Sequence, residues 1–341
     1  MRSVSRVLLI DLLRLVAAAQ MVQGHTLDAL LSPAYRHGAV HHAWLWLRGL
    51  TSVAFLVSSG MAFQVATLRD LERHRESSAA VAGRFRRAAS LVLLGYLLHA
   101  PWPLDAGSVA MAGALEQAFA ADALQCIGVC LAALEALALA LPSGRAVELA
   151  CGVLGAAVLA LSPMLTRLDP AGPFLPVLDY LTPRGGSQFP LFPWAGHVLL
   201  GVALSRVLLG GRRRFLRLLV GAGLFKAAAW VAAAGGAPLV SDHLGRLGWV
   251  LVGLGLLSLV EPLIRRDDSP LSRLSRETLF IYAFHVLLVY GRGVGLAALI
   301  GPRLSPLPAI VAALCMIGLS FGCARVYRWA AIGLARRAAT G

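Results

Sequence analysis

About ten apolar stretches, each close to the ~20 residues that cross a bilayer, follow one another along this chain. They are expected at 7–27, 45–67, 86–103, 121–141, 145–163, 190–209, 215–235, 244–263, 277–298 and 307–330. Backbone in hydrocarbon must satisfy its own hydrogen bonds, so spans of this length fold as helices. The fold class expected is therefore all-α: a polytopic integral membrane helix bundle of about ten transmembrane helices. Composition agrees, with 58% hydrophobic and 14% charged residues, against about 25% charged in soluble domains. No internal repeat or soluble domain is visible, so 1–341 reads as one transmembrane domain. The longest irregular stretch, about 166–189, holds Pro170, Pro173, Pro176 and Pro183. A loop this long is more often functional or disordered than idle, and Phe174 to Leu178 is expected to dip into the membrane surface.

The net charge of +14 does not gather into one patch, which argues against nucleic acid as a partner. The basic residues lie in clusters between apolar runs: Arg2 and Arg6, then Arg69, Arg73, Arg75, Arg84, Arg86 and Arg87. Later clusters are Arg206, Arg212, Arg213, Arg214 and Arg217, then Arg265, Arg266, Arg273 and Arg276, then Arg336 and Arg337. The loops between are poorer, and the third holds Asp105 and Glu116 with no Arg or Lys. The positive-inside rule then places both termini in the cytoplasm, which needs an even number of spans. The expected location is the inner (cytoplasmic) membrane. Apart from Lys226, every strongly basic residue is Arg. Cys126, Cys130, Cys151, Cys315 and Cys323 all fall in apolar segments without a second pair at metal-ligand spacing. They read as packing residues, not as a disulfide framework or metal site. The first span, carrying Asp11 and Arg14, reads as a membrane helix and not as a cleavable leader.

Those charges matter, because an ionisable group in hydrocarbon costs about 2.5–3.5 kcal/mol even on lenient scales. Asp11, Arg14, Ala18, Met21, His25 and Asp28 form one helical stripe. Arg14 and His25, eleven residues apart, share a face with about 16 Å between them. The topology puts Arg14 toward the cytoplasm and His25 near the outer end. An imidazole there can take a proton from a hydroxyl or amine. Equally, it can be a structural histidine satisfied by Asp28 or water. His37, His41 and His42 precede the second span in the same outer layer, as acceptor-side or as solvated groups. They lack the matching carboxylates or cysteines that a metal requires, so no metal is expected. Arg84, Arg86 and Arg87 either signal topology or grip phosphate. Thr278, Tyr282, His285 and Arg292 share a face of the ninth span, where His285 is either packed or functional. Glu116, Asp122 and Gln125 flank the fourth span, and His99 suits an interfacial anchor. No G-x-x-x-x-G-K-[ST], G-x-S-x-G or H-E-x-x-H motif is present, which weakens ATPase, serine-hydrolase and zincin readings.

Taken together, the pieces resemble a known superfamily. Asp11-x-x-Arg14, ten residues, then His25 is similar to the N-terminal pattern of the acyltransferase-three family, where that histidine is taken as catalytic. The stretch Leu274-Ser275-x-x-Thr278-Leu279-x-Ile281-Tyr282-x-x-His285 resembles its late-helix signature. Phe189 to Gly201, Leu124 to Val129 and Phe55 to Gly60 resemble bacterial relatives of heparan-alpha-glucosaminide N-acetyltransferase. Leu15 stands where the family has Gly after the arginine, and Cys126 where it has Arg. In the heparan branch the catalytic histidine lies in the first outer loop, which points to His41 or His42. The resemblance implies transfer of an acyl group, by default acetyl, from cytoplasmic acetyl-CoA or another acyl-CoA. The acceptor implied is a hydroxyl or amine of an envelope glycan on the outer face. His25, His41 and His42 are the implied bases, with Asp11 and Arg14 as an intramembrane pair. Arg84, Arg86, Arg87, Tyr282 and His285 are the implied donor contacts. The partners are then the bilayer, acyl-CoA and a carbohydrate, with a homodimer left open. A proton-coupled transporter or flippase of the same topology is the competing reading. The chain shows neither the inverted repeat nor the paired broken helices common in transporters.

Overall fold

The structure, a computed structural model, describes residues 7–99, 120–167, 175–183, 186–211, 213–264, 274–291 and 294–340. Arg2, Arg6, Asp105, Glu116, Pro170, Pro173, Phe174, Arg212, Arg265, Arg266, Arg273 and Arg292 lie outside the described residues, with the expectations attached to them. The described residues form helices and no strands. The helices are α1 (Leu8–Leu30), α2 (Gly38–Ala66), α3 (Leu71–Glu76), α4 (Ser78–His99), α5 (Ala123–Ala140) and α6 (Gly144–Leu165). They continue with α7 (Leu191–Leu209), α8 (Arg214–Ala234), α9 (Pro238–Val260), α10 (Thr278–Tyr290) and α11 (Pro306–Thr340). A helix therefore stands at each expected span.

Seven helices among the described residues are long and apolar enough to cross a membrane. α1, α4 and α10 are not among them. α1 carries Asp11, Arg14, Gln20, Gln23, His25 and Asp28; α4 carries Arg84, Arg86 and Arg87 within it; α10 has only 13 residues. α10 stops at Tyr290 instead of running to 298, because the backbone departs from helical geometry at Gly291. α2 starts at Gly38 instead of 45. Gly38 adopts φ +79, a left-handed conformation that β-carbon sterics disfavour elsewhere. The chain turns there and enters the helix early, so His41 and His42 are helical and not loop residues.

The chain forms two compact units: Met1–Ile10 with Ser52–Leu259, and Asp11–Thr51 with Val260–Gly341. The core of the first joins α2, α5, α6 and α7 through Leu56, Phe63, Cys126, Cys130, Leu134, Val147, Cys151, Val198 and Val202. Three of the cysteines thus pack as apolar side chains and are free thiols. Within this unit α2 and α7 approach at their glycines. A Cβ on Gly60 would strike the Val198 carbonyl, and one on Gly201 would strike the Val57 carbonyl. Small residues let backbones meet where the surrounding lipid supplies no hydrophobic drive.

Beside that contact lies a polar staple. The Glu148 carboxylate of α6 accepts from Arg206 Nε of α7 at 2.9 and 3.0 Å, and from Gln64 Nε2 of α2 at 2.9 Å. Ser205 Oγ donates to Gln64 Oε1 at 3.1 Å. Glu148→Ala is expected to destabilise the protein by about 1.5–3 kcal/mol, since its donors lose a charged acceptor. Glu148→Gln, which keeps one amide oxygen, should cost less. Thermal unfolding of the purified protein in detergent measures both.

Other polar groups of this unit cap a helix end or pair with one another. Arg75 donates to the carbonyls of Ala138 and Leu141, the end of α5. His74 Nε2 lies 2.5 Å from Glu135 Oε1. Between α6 and α7, the one-turn helix Leu175–Leu178 precedes buried Asp179 and Thr182. The Tyr180 hydroxyl meets that of Tyr96 at 2.7 Å, and burial together with this bond pushes the Tyr180 phenol up.

The second unit contains most of α1, the start of α2, α10 and α11. Leu31 and Leu304 form a parallel bridge, with Ser32 N donating to Leu304 O at 2.9 Å. Leu27, Leu31, Ala309 and Ala313 pack beneath it. Phe280 stacks on Tyr327 with ring centroids 4.7 Å apart, joining α10 to α11.

Candidate functional site

Two helices of the second unit bring two imidazoles together. His25, in the penultimate turn of α1, places Nδ1 2.9 Å from Nε2 of His285 on α10. The rings stack with centroids 5.1 Å apart at 24°. His285 is fully buried and its Nδ1 lies 2.8 Å from the Ile281 carbonyl, one helical turn back. Tyr282 meets the His285 ring edge-on at 5.7 Å. Tyr290, at the end of α10, meets His25 edge-on at 5.6 Å and donates its hydroxyl to the His25 carbonyl at 3.2 Å. His25 itself is half-buried.

Around the pair lies a set of charges from α1 and α2. Asp28, expected as one partner for His25, pairs with Arg48 at 2.5 Å. Arg48 also lies over the Trp44 ring at 5.7 Å and against Gly24. The Trp44 indole donates to Gln23 Oε1 at 3.1 Å. Arg36 closes the C-terminal end of α1 by donating to the carbonyls of Asp28 and Leu31. Arg48, Arg36 and His41 act on the Asp28 carboxylate, and Asp28 acts on Tyr290. His41 is half-buried against Trp44, with ring centroids 5.5 Å apart, and His42 is exposed. The structure therefore gathers His25, His285, Tyr290, Asp28 and His41 in one unit.

The remaining sequence candidates divide. Asp11 is buried and Arg14 half-buried on α1. Arg84 is half-buried and donates to the Ala66 carbonyl at the end of α2 (3.2 Å), whereas Arg86 and Arg87 are exposed. Asp122 and Gln125 form the capping box that opens α5. A second imidazole pair, missed as a pair in the sequence, lies in the first unit. His197 Nε2 of α7 is 2.9 Å from His243 Nδ1 of α9, both buried, with Trp194 edge-on to His243 at 4.9 Å. His243 falls just outside the expected span 244–263. α9 starts earlier, at Pro238, a residue suited to the first helical position. Among the described residues, no three His, Cys, Asp or Glu side chains gather closely enough to hold a metal ion.

Paired imidazoles held between the helices of a multi-span membrane protein are costly polar groups of the kind that mark a functional site. The chain belongs to the heparan-alpha-glucosaminide N-acetyltransferase catalytic family, which it matches over residues 6–240. The match takes in His25, His41, His42, the arginines of α4 and His197, and ends before His243 and His285. No curated protein matches the chain.

Proposed function

We propose that this protein transfers an acetyl group from acetyl-CoA to a hydroxyl or amine of an envelope glycan at the outer membrane face, with His25 as general base. Family membership supports the acetyltransferase chemistry. The observation that carries the site is the half-buried His25 imidazole, held at the end of α1 by His285 and Tyr290. In the reaction the acceptor oxygen or nitrogen bonds to the thioester carbonyl carbon as its proton passes to His25. The C–S bond then breaks, and the CoA thiolate takes that proton back from the imidazolium. Asp28 and Arg48 set the local field, and Trp44 offers an aromatic face suited to a sugar ring. His41 and His42 are the alternative bases, of which His41 has the better setting, half-buried against Trp44. Loop charge supports a cytoplasmic position for Arg86 and Arg87, whose exposed guanidinium groups suit CoA phosphates. Arg84 is engaged with Ala66 and contributes charge rather than a whole fork.

The test is the purified protein in detergent or nanodiscs with acetyl-CoA and a glucosamine-terminated oligosaccharide. Free CoA thiol should appear only with acceptor present, and the acceptor should gain one acetyl mass. Absence of both, together with proton-driven solute uptake into liposomes without CoA, would replace the enzyme by a transporter.

A further inference from the structure

We infer that His285 is a positioning residue that fixes which nitrogen of His25 is basic: Nδ1 of His25 holds the hydrogen and Nε2 the lone pair. The inference rests on the reading of His25 as the base. It starts at Ile281, whose carbonyl oxygen can only accept. The His285 Nδ1 contact at 2.8 Å therefore requires N–H at that nitrogen. A neutral imidazole carries one ring hydrogen, so Nε2 of His285 is an acceptor. The nitrogen facing it at 2.9 Å, Nδ1 of His25, must then donate. That assigns the ring hydrogen of neutral His25 to Nδ1 and leaves Nε2 as the site of proton uptake.

The anchor is built by the helix itself. Residues 281 and 285 are one turn apart on α10, so the carbonyl that orients His285 comes from its own element. Tyr282 packs edge-on to His285, and Tyr290 packs edge-on to His25, which fixes both ring planes. The device follows the logic of a catalytic triad, where an acceptor behind the base sets its tautomer and steadies the imidazolium. Here a neutral imidazole takes the place usually held by a carboxylate. On proton uptake at Nε2, the Nδ1–H of His25 becomes a stronger donor into His285, which favours the charged form. Tyr290 from α10 also bears on His25, and Asp28, three residues further along α1, is paired with Arg48 and feels Arg36 and His41. The pair also joins the two halves of the sequence resemblance: the histidine of the N-terminal pattern meets the histidine of the late-helix pattern.

The experiment compares His285→Phe, His285→Gln and His25→Ala in the purified full chain, with kcat, both KM values and the pH profile of kcat. His285→Phe keeps a ring but offers no acceptor. It should lower kcat by about 10–100-fold, as loss of an orienting partner does at comparable sites, with KM for acetyl-CoA and acceptor unchanged. The acid limb should move to lower pH, because the imidazolium loses its acceptor. His285→Gln, whose amide oxygen can accept from Nδ1–H, should recover most of kcat. Parental kcat and acid limb in His285→Phe, with His25→Ala inactive, overturns the positioning role and leaves the base. A rise in KM for acetyl-CoA at constant kcat also overturns it and makes His285 a donor contact. An active His25→Ala overturns the base reading itself. Nitrogen-15 shifts of histidine-labelled parental protein, with His25 assigned by its loss in His25→Ala, give a test independent of variant folding. A protonated Nδ1 supports the inference, and a protonated Nε2 on His25 overturns it.

Discussion

His25→Ala is expected to lower kcat for acetyl transfer by about 10²–10⁴-fold, the range that a positioned general base contributes. The substitution removes the ring that contacts His285 and Tyr290 but leaves α1 helical, since alanine is the strongest helix former. The unfolding midpoint and size-exclusion profile should therefore stay near parental, while the acid limb of the pH profile disappears. The companion variants His41→Ala and His42→Ala locate the base. If His25→Ala keeps parental kcat and His41→Ala loses it, the base sits in the first turns of α2, as the outer-loop pattern of the heparan branch implies. If neither matters, neither helix carries the base. His42, exposed and farther from burial, should cost the least.

Helix positions were legible in the sequence because apolar runs of bilayer length leave the backbone no other solution. The starting point of α2 was not, because it depends on one left-handed glycine, Gly38, that no hydropathy pattern marks. The same boundary effect hid His243, which sits in the first turns of α9 where the apolar run had not yet begun. The residues of the site were visible as costly polar groups, yet their partners were not. His25 and His285 are 260 positions apart, and their meeting is a product of packing. The sequence leaves His285 as packed or functional and offers Asp28 or water as one partner for His25; in the structure His285 contacts His25 and Asp28 pairs with Arg48. Arginines show the same limit. Arg75 and Arg84 count as topology signals in a loop, but each closes a helix end by donating to its last carbonyls.

Gly201→Leu should produce the largest loss of stability. The missing Cβ space at Gly201 is occupied by the Val57 backbone, and that at Gly60 by the backbone of Val198 and Val202. Backbone cannot step aside as a flexible side chain can, so any added carbon must push α2 and α7 apart. Overpacking commonly costs about 1–3 kcal/mol and sometimes more; here a second penalty follows. Gln64 and Ser205 stand one turn beyond Gly60 and Gly201 on the same helices; their 3.1 Å hydrogen bond joins α2 to α7, and Gln64 also donates to Glu148. Separation of the helices stretches that bond while opening the apolar contact among Leu56, Val198 and Val202. The expected order of unfolding midpoints in detergent is parental, then Gly201→Ala, then Gly201→Leu, with poor recovery of monodisperse protein for the last. A parental midpoint for Gly201→Leu would mean that α2 and α7 do not touch at these glycines. Combining Glu148→Ala with Gly201→Ala probes the coupling. Because both act on the same contact, the double variant should lose less than the sum of the single losses.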